Sequence, residues 1–118
     1  MKSAEQLLAE TKARITQTSV EDALAAHAAK PPVVFLDVRD PEEANLGRIP
    51  GAVHISRGRL ETRIEAAVPR EATIIIYCSN GNRSAFAAET LREMGYLKVS
   101  SLREGFRGWV DAGGDVEG

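Results

Sequence analysis

The chain has one cysteine, Cys78, and it lies where an apolar segment changes abruptly into a polar one. The residues that follow it are small and polar, with one glycine and one arginine: Ser79, Asn80, Gly81, Asn82, Arg83 and Ser84. The β-branched run before it (Ile74 to Tyr77) predicts a strand buried on both faces, and the Ala- and Leu-rich stretch after it (Ala85 to Met94) predicts a helix. A thiol between such a strand and helix lies near unpaired backbone N–H groups and the positive end of the helix dipole. Because that environment stabilises a thiolate, the sequence indicates nucleophilic chemistry at sulfur.

Residues 78–84, here called the cysteine loop, have two further features that favour a reactive thiol. Gly81 lets the backbone curl around the sulfur, so that successive N–H groups can form an anion-binding nest. Ser84 is predicted to be the N-cap of the following helix, and Gly95 to end it. A lone cysteine is often just a small buried apolar residue, and that alternative stays open here. A hairpin turn at Asn80-Gly81 is disfavoured, because a helix pattern and not a second strand follows.

A second buried strand, Val33 to Val38, carries charged residues at its carboxyl end. In open α/β sheets, ligands bind outside the carboxyl ends of the strands, so Asp37 and Arg39 are placed around the same pocket as the cysteine loop. Asp37 either orients the loop or its arginine, or caps backbone N–H groups at the strand end; the sequence leaves both open. Arg39 is predicted to pair with Glu42 or Glu43 and fix the pocket wall, and not to touch substrate.

The rest of the chain alternates strand patterns with helix patterns. Apolar periodicity and capping signals predict helices at Ser3–Arg14, Val20–Ala29, Ser56–Val68 and Glu104–Asp111, a helical turn at Asp40–Glu43, and strands at Ile15–Gln17, Ala52–Ile55 and Val99–Leu102. Lys30-Pro31-Pro32 is predicted to end the second helix, and Gly113-Gly114 to end ordered structure. This alternation predicts an α/β domain with a parallel sheet covered by helices on both faces.

For the two histidines and the C-terminal aromatic residues, the sequence favours structural roles over catalytic ones. His54 could serve as a base, but a thiolate already stabilised by its loop needs none. His27 is predicted to face solvent. Phe106 and Trp109 lie three apart on the last predicted helix, which favours a place in the core.

Length and composition exclude several classes of protein. The 118 residues suffice for one domain, and the shares of hydrophobic (43%) and charged (27%) residues are typical of soluble globular proteins. A net charge of −2 gives no basic surface for nucleic acid or anionic membrane, and no apolar run approaches the roughly 20 residues of a membrane span. One cysteine excludes an intramolecular disulfide and an all-cysteine metal site. The acidic, discontinuous N-terminal pattern is not that of a signal peptide, so we expect a cytoplasmic protein.

Three separated stretches together resemble one family, the single-domain rhodaneses. They are Leu36 to Glu43 (LDVRDPEE), Gly47 to Ile55 (GRIPGAVHI) and Tyr77 to Ser84 (YCSNGNRS), and they keep the order that the family has. The closing stretch Leu102 to Trp109 (LREGFRGW) is similar to the glycine- and tryptophan-bearing end of that family. The resemblance covers residues 15–113 as a rhodanese-like domain, leaving 1–14 as an N-terminal helical extension and 114–118 as a short tail.

The resemblance implies a five-stranded parallel sheet with helices on both faces, and a sulfurtransferase activity. Cys78 would carry sulfur as a persulfide between a donor such as thiosulfate and a thiol or cyanide acceptor, with a partner protein's thiol as one form of acceptor. Backbone N–H groups of residues 79–84 would stabilise the persulfide anion, with no metal or organic cofactor, and Arg83 would attract the donor. One departure concerns the donor: Ser79 and Asn80 are neutral where thiosulfate-selective members often carry a cation. Polysulfide or a protein persulfide is therefore an alternative to thiosulfate.

Two other functions are weighed against sulfur transfer. Cysteine-dependent phosphatases and arsenate reductases share the strand, cysteine loop and helix, but their arginine follows the cysteine after five residues. Here four residues separate Cys78 from Arg83, and the single cysteine leaves no internal resolving thiol. A non-catalytic rhodanese-type binding module is the other alternative, although such modules commonly lose the cysteine that this chain retains.

Overall fold

The strand that leads to Cys78 lies in the middle of a parallel sheet. The computed structural model describes residues 1–29 and 33–118, and over these residues the sheet has five strands with helices on both faces. In chain order the elements are α1 (Ala4–Arg14), β1 (Thr16–Thr18), α2 (Val20–Ala28), β2 (Val34–Asp37), α3 (Pro41–Leu46), β3 (Val53–His54), a 3-10 turn (Arg57–Arg59), α4 (Leu60–Ala67), β4 (Ile74–Tyr77), α5 (Asn82–Glu93), β5 (Val99–Leu102) and α6 (Gly105–Asp111). The predicted fold class is therefore confirmed.

The order of the strands places the candidate residues together. The sheet runs β1-β5-β4-β2-β3, with every pair parallel. From β2 the chain moves outward to β3 on one side, and from β4 it moves outward to β5 on the other side. The boundary between β2 and β4 is thus the switch in strand order where open α/β sheets bind ligands. Asp37 pairs in register with Tyr77 at this boundary, so the ends of the two strands are neighbours.

Two apolar clusters cover the two faces of the sheet. One joins Leu36 and Ile76 to Leu60 and Leu91 of the α4 and α5 side, and Cys78 belongs to it. The other joins the alternate strand residues to the α2 and α6 side, with Trp109 at its centre. Because successive side chains of a strand point to opposite faces, the uninterrupted run Ile74–Tyr77 can supply both clusters, and all four of its residues are buried.

Three predictions about local structure are corrected. Order does not stop at Gly113-Gly114, because the Trp109 indole donates to the Asp115 carbonyl and residue 117 pairs with residue 48 through two backbone hydrogen bonds. His27 does not face solvent; it is half-buried, packs edge-on against Trp109 and bonds the Pro50 carbonyl. The helix predicted from Ser56 begins as a 3-10 turn before α4. The predicted helix stop at 30–32 lies outside the described residues.

Helix α1 belongs to the same packed unit as the sheet. Its Ser3 cap is reciprocal: the Gln6 N–H donates to the Ser3 hydroxyl, and the Ser3 N–H donates to the Gln6 side chain. The helix packs against α5, and Arg14 pairs with Glu89 across that contact. None of the helices in the described ranges 1–29 and 33–118 has the length and apolar character needed to cross a membrane.

Candidate active site

The sulfur of Cys78 is fully buried and surrounded by hydrogen-bond donors of its own loop. The N–H groups of Gly81 and Ser84 lie 3.2 Å and 3.3 Å from Sγ, and the Ser84 hydroxyl oxygen lies 3.5 Å from it. The Asn80 Oδ1 lies 3.9 Å away on the solvent side. The Ser84 hydroxyl also meets the hydroxyl of buried Ser101 on β5, at 2.8 Å. With Ser101 donating to Ser84, the Ser84 hydroxyl is free to donate to a thiolate.

These donors stabilise the charged form of the thiol. Burial alone would raise the pKa of Cys78, since a thiolate loses hydration there. Hydrogen bonds from the Ser84 hydroxyl and from the N–H groups of Ser84, Asn80 and Gly81 outweigh burial, and the pKa of Cys78 is lowered. This environment favours the thiolate, which is the form of a cysteine side chain that can act as a nucleophile.

Ser84 is not the N-cap that the sequence predicted. Helix α5 begins at Asn82, with Gly81 in the cap position and the Asn80 side chain accepting from the Asn82 N–H. The left-handed conformation of Gly81 (φ 92°) turns the chain into the helix three residues earlier than expected. Ser84 thereby lies within the first turn of α5, where its N–H and hydroxyl face the sulfur.

The outer side of the cysteine loop is held by α6. The N–H groups of Phe106 and Arg107 donate to the carbonyls of Cys78 and Ser79, at 2.8 Å and 3.1 Å. Gly105 makes this approach possible, because a Cβ there would lie 2.4 Å from the Ser79 carbonyl oxygen. Helix α6 thus binds the carbonyls of Cys78 and Ser79 on the outer side of the loop. The N–H groups of Gly81 and Ser84 point to its inner side, towards Sγ. Sequence reasoning missed this role of α6, although the glycine at its start was a usable signal.

Arg83 is bound by a carboxylate that the sequence analysis assigned elsewhere. Its Nη1 and Nη2 donate to the Glu43 carboxylate on α3, at 3.0 Å and 3.1 Å, and Ser79 Oγ donates to the same carboxylate at 2.7 Å. These contacts lower the pKa of Glu43 to about 2, with the hydrogen bond from Arg83 as the main cause. The Arg83 guanidinium therefore links the cysteine loop to α3, and the Glu43 carboxylate balances its charge.

Asp37 and Arg39 form a buried ion pair of their own beside the site. Arg39 donates to Asp37 from Nε, from Nη2 and from its backbone N–H, at 3.0 Å, 2.7 Å and 2.9 Å. The Tyr77 hydroxyl donates to the same carboxylate, and Arg39 reaches the Gly47 carbonyl and lies over the Phe106 ring. The predicted pairing of Arg39 with Glu42 or Glu43 is wrong. The guanidinium of Arg39 pairs instead with the carboxylate of Asp37, two residues before it in the chain. Asp37 has no contact with the loop arginine, so its hydrogen bonds are those of a strand-end anchor.

His54 lies beside the site without reaching the sulfur. Its Nε2 bonds the Arg39 carbonyl at 2.9 Å. It lines a cleft of about 690 Å³ with Ser56, Arg59 and Arg63, and Cys78 is not among the lining residues. Within residues 1–29 and 33–118, no three His, Cys, Asp or Glu side chains gather to hold a metal ion.

Comparisons with known proteins agree with the residues that carried the resemblance. The sequence profile of the rhodanese-like domain matches residues 20–112. The chain is 33% identical over 96 residues to a Tolumonas auensis protein named thiosulfate sulfurtransferase GlpE, which covers 81% of this chain and 89% of that protein.

Two solved structures are similar over most of the chain. One is a Rhodopseudomonas palustris protein of unknown function described as a possible tyrosine phosphatase, with a TM-score of 0.89, 36% identity and coverage of 99% of this chain and 96% of that one. The other is a rhodanese-related protein from Thermoplasma volcanium, with a TM-score of 0.78, 27% identity and coverage of 86% and 97%. The chain therefore belongs to the family of rhodanese-like domains.

Proposed function

We propose that this protein is a sulfurtransferase that carries a sulfane sulfur as a persulfide on Cys78. The observation that supports this most directly is the environment of the sulfur: a buried thiol of lowered pKa that receives hydrogen bonds from loop N–H groups. Such groups stabilise a charge that sits on one sulfur atom, and they do so without a general base. The relatives named as thiosulfate sulfurtransferases are in keeping with the proposal.

In the first step, the Cys78 thiolate attacks the outer sulfur of a donor such as thiosulfate. A new S–S bond forms between Sγ and that sulfur, the S–S bond of the donor breaks, and its electron pair leaves with sulfite. Because Cys78 is fully buried, the donor has to displace the exposed side chain of Asn80, which lies over the sulfur at 3.9 Å. This displacement breaks the 3.9 Å contact with Sγ and the 3.1 Å hydrogen bond from the Asn82 N–H to the same oxygen, and both groups are then free to bind the donor or water.

In the second step, a thiolate or cyanide attacks the outer sulfur of the persulfide. The bond between the two sulfurs breaks, its electron pair returns to Sγ, and the acceptor leaves with the transferred sulfur, which completes a ping-pong scheme. The Ser84 hydroxyl, backed by Ser101, can donate to the regenerated thiolate without losing its own partner. The scheme uses no metal and no organic cofactor.

A phosphatase is the second candidate, because one similar structure is described as a possible tyrosine phosphatase. Phosphate binding in a cysteine loop needs an arginine that points at the phosphoryl oxygens. Here the Arg83 guanidinium is engaged by Glu43 through both terminal nitrogens, and only four residues separate it from Cys78. Both observations favour sulfur transfer over phosphate hydrolysis.

The test is to load the purified protein with sulfur and follow its mass. Mixed with thiosulfate, polysulfide or a persulfide donor and no acceptor, the parent should gain one sulfur atom, and cyanide should remove it with release of one equivalent of thiocyanate. Cys78→Ser should stay folded and neither load nor turn over, and the parent should hydrolyse an aryl phosphate negligibly. Failure to load from all three donors would favour a binding module. Phosphatase turnover that equals sulfur transfer and disappears in Cys78→Ser would favour the second candidate.

A further inference from the structure

A lysine from outside the residues matched by the family profile reaches the cysteine loop. Lys12 lies on α1, whereas the profile begins at residue 20. Its Nζ donates to Oδ1 of Asn82 at 3.0 Å. Asn82 is the first residue of α5 and part of the cysteine loop, and its N–H donates to the Asn80 side chain that lies over the sulfur. The ammonium group is therefore bonded to the Asn82 side chain at the rim of the loop, and the backbone of Asn82 is bonded in turn to the Asn80 side chain.

Among the described residues, Lys12 lacks the carboxylate partner that three other basic residues, two of them beside the site, each have. Arg83 is balanced by Glu43, Arg39 by Asp37, and Arg14 on the same helix by Glu89. Over residues 1–29 and 33–118, Lys12 takes part in no ion pair, and its hydrogen bond goes to a neutral amide oxygen. It is half-buried, and the preceding Thr11 is buried, so the packing of α1 on α5 limits where the ammonium can go. The structure thus holds at the rim of the loop a positive charge that has no carboxylate partner in the described part of the chain.

We propose that Lys12 is part of the donor site and makes it selective for small anionic sulfur donors, with doubly charged thiosulfate favoured over neutral donors. The inference rests on the proposed sulfurtransferase function and names the class of donor for that site. A positive charge at the rim attracts an incoming dianion and stabilises the dianionic sulfite that leaves. Arg83, the cation that the loop itself offers, is already balanced by a carboxylate.

Lys12 acts on the donor and not on the thiol. The pKa of Cys78 is governed by burial and by hydrogen bonds from Ser84, Asn80 and Gly81. Removing the charge of Lys12 should accordingly raise the KM for an anionic donor while the pH profile of thiol alkylation stays where it is. A purely structural role for α1 would change both, because a loosened loop would alter the N–H groups around the sulfur.

The experiment compares Lys12→Met with Lys98→Met, using thiosulfate and an uncharged organic trisulfide as donors. Methionine keeps the apolar stem of lysine. Lys98 is exposed, forms no ion pair within the described residues, and lies at the amino-terminal edge of the sheet, where its carbonyl accepts from Ile74 N. The two variants change the net charge equally, so they differ only in where the charge is lost.

At low salt, Lys12→Met should lower kcat/KM for thiosulfate by roughly three- to tenfold, mostly through KM, because a unit charge near a dianion in water has an interaction of that size. The loss should shrink at high salt, stay within about twofold for the trisulfide, and be largely restored in Lys12→Arg. Lys98→Met should match the parent. Equal losses for both donors, or no loss for thiosulfate, would overturn the role of Lys12. A parent that loads from no donor at all would instead overturn the proposed function, which separates the two failures.

Discussion

The change Asp37→Asn removes one charge from a buried ion pair and keeps the shape of the side chain. The side chains of Asp37 and Arg39 are 0% and 5% exposed, so the remaining guanidinium cannot turn to water for compensation. Breaking a buried pair by removing one partner costs about 3–5 kcal/mol, because it leaves an uncompensated buried charge. The Tyr77 hydroxyl, which donates to the same carboxylate, keeps an acceptor in the asparagine oxygen. We therefore expect Asp37→Asn to lower the free energy of unfolding by about 3–5 kcal/mol.

Denaturant and thermal unfolding measure this loss directly. A chain of 118 residues has an unfolding free energy on the order of 6–18 kcal/mol, so the variant should still fold at low temperature. Its Tm should fall by about 12–20 °C, since each kcal/mol corresponds to roughly 4 °C for a domain of this size. Within the residues that the structure describes, Asp37 makes no hydrogen bond or ion pair to the cysteine loop, and its nearest link to it is Tyr77, the residue before Cys78. We therefore expect kcat/KM for sulfur transfer below the Tm to change by less than about threefold.

Two results would refute this reasoning. A loss of less than about 1 kcal/mol would mean that the pair is hydrated in solution and not buried as described. A tenfold loss of kcat/KM in the folded variant would mean that Asp37 orients the loop, which the sequence left open. A double replacement, Asp37→Asn with Arg39→Met, serves as the control, because it removes both charges while the asparagine oxygen can still accept from Tyr77, and it should recover most of the stability.

Two further predictions concern the hydrogen bonds of the cysteine loop. Replacing Ser84 with alanine removes the hydroxyl that donates to the thiolate, so the pKa of Cys78 should rise and the pH profile of its alkylation by iodoacetamide should move upward; an unmoved profile would contradict the geometry. Glu43 has its pKa lowered from 4.5 to about 2, so its carboxylate contributes stability that is complete above pH 4.5 and is lost as the pH falls towards 2. The free energy of unfolding in urea, measured between pH 7 and 3, should therefore depend less on pH in Glu43→Gln than in the parent. Equal dependence on pH in the two proteins would contradict the lowered pKa of Glu43.

The sequence by itself determined the central architecture and the family. An uninterrupted β-branched run such as Ile74–Tyr77 is compatible with burial on both faces, and this is what a central parallel strand requires. The change to small polar residues and glycine after Cys78 predicted the turn into a helix, because those residue types permit the tight backbone that the turn needs. These features are local in the chain, so local sequence was sufficient to predict them.

Only the tertiary structure decided which charges meet at the site. Arg83 could have paired with any carboxylate near the carboxyl edge of the sheet, and it pairs with Glu43, which is 40 residues away. Lys12 reaches Asn82 across 70 residues because α1 packs on α5, a contact that no local pattern encodes. Ion pairs are selected by distances of a few ångströms between the ends of flexible side chains, and those distances exist only once helices have packed on the sheet. The apolar pattern fixes which faces are buried, whereas the electrostatics of the site depends on how those faces come together.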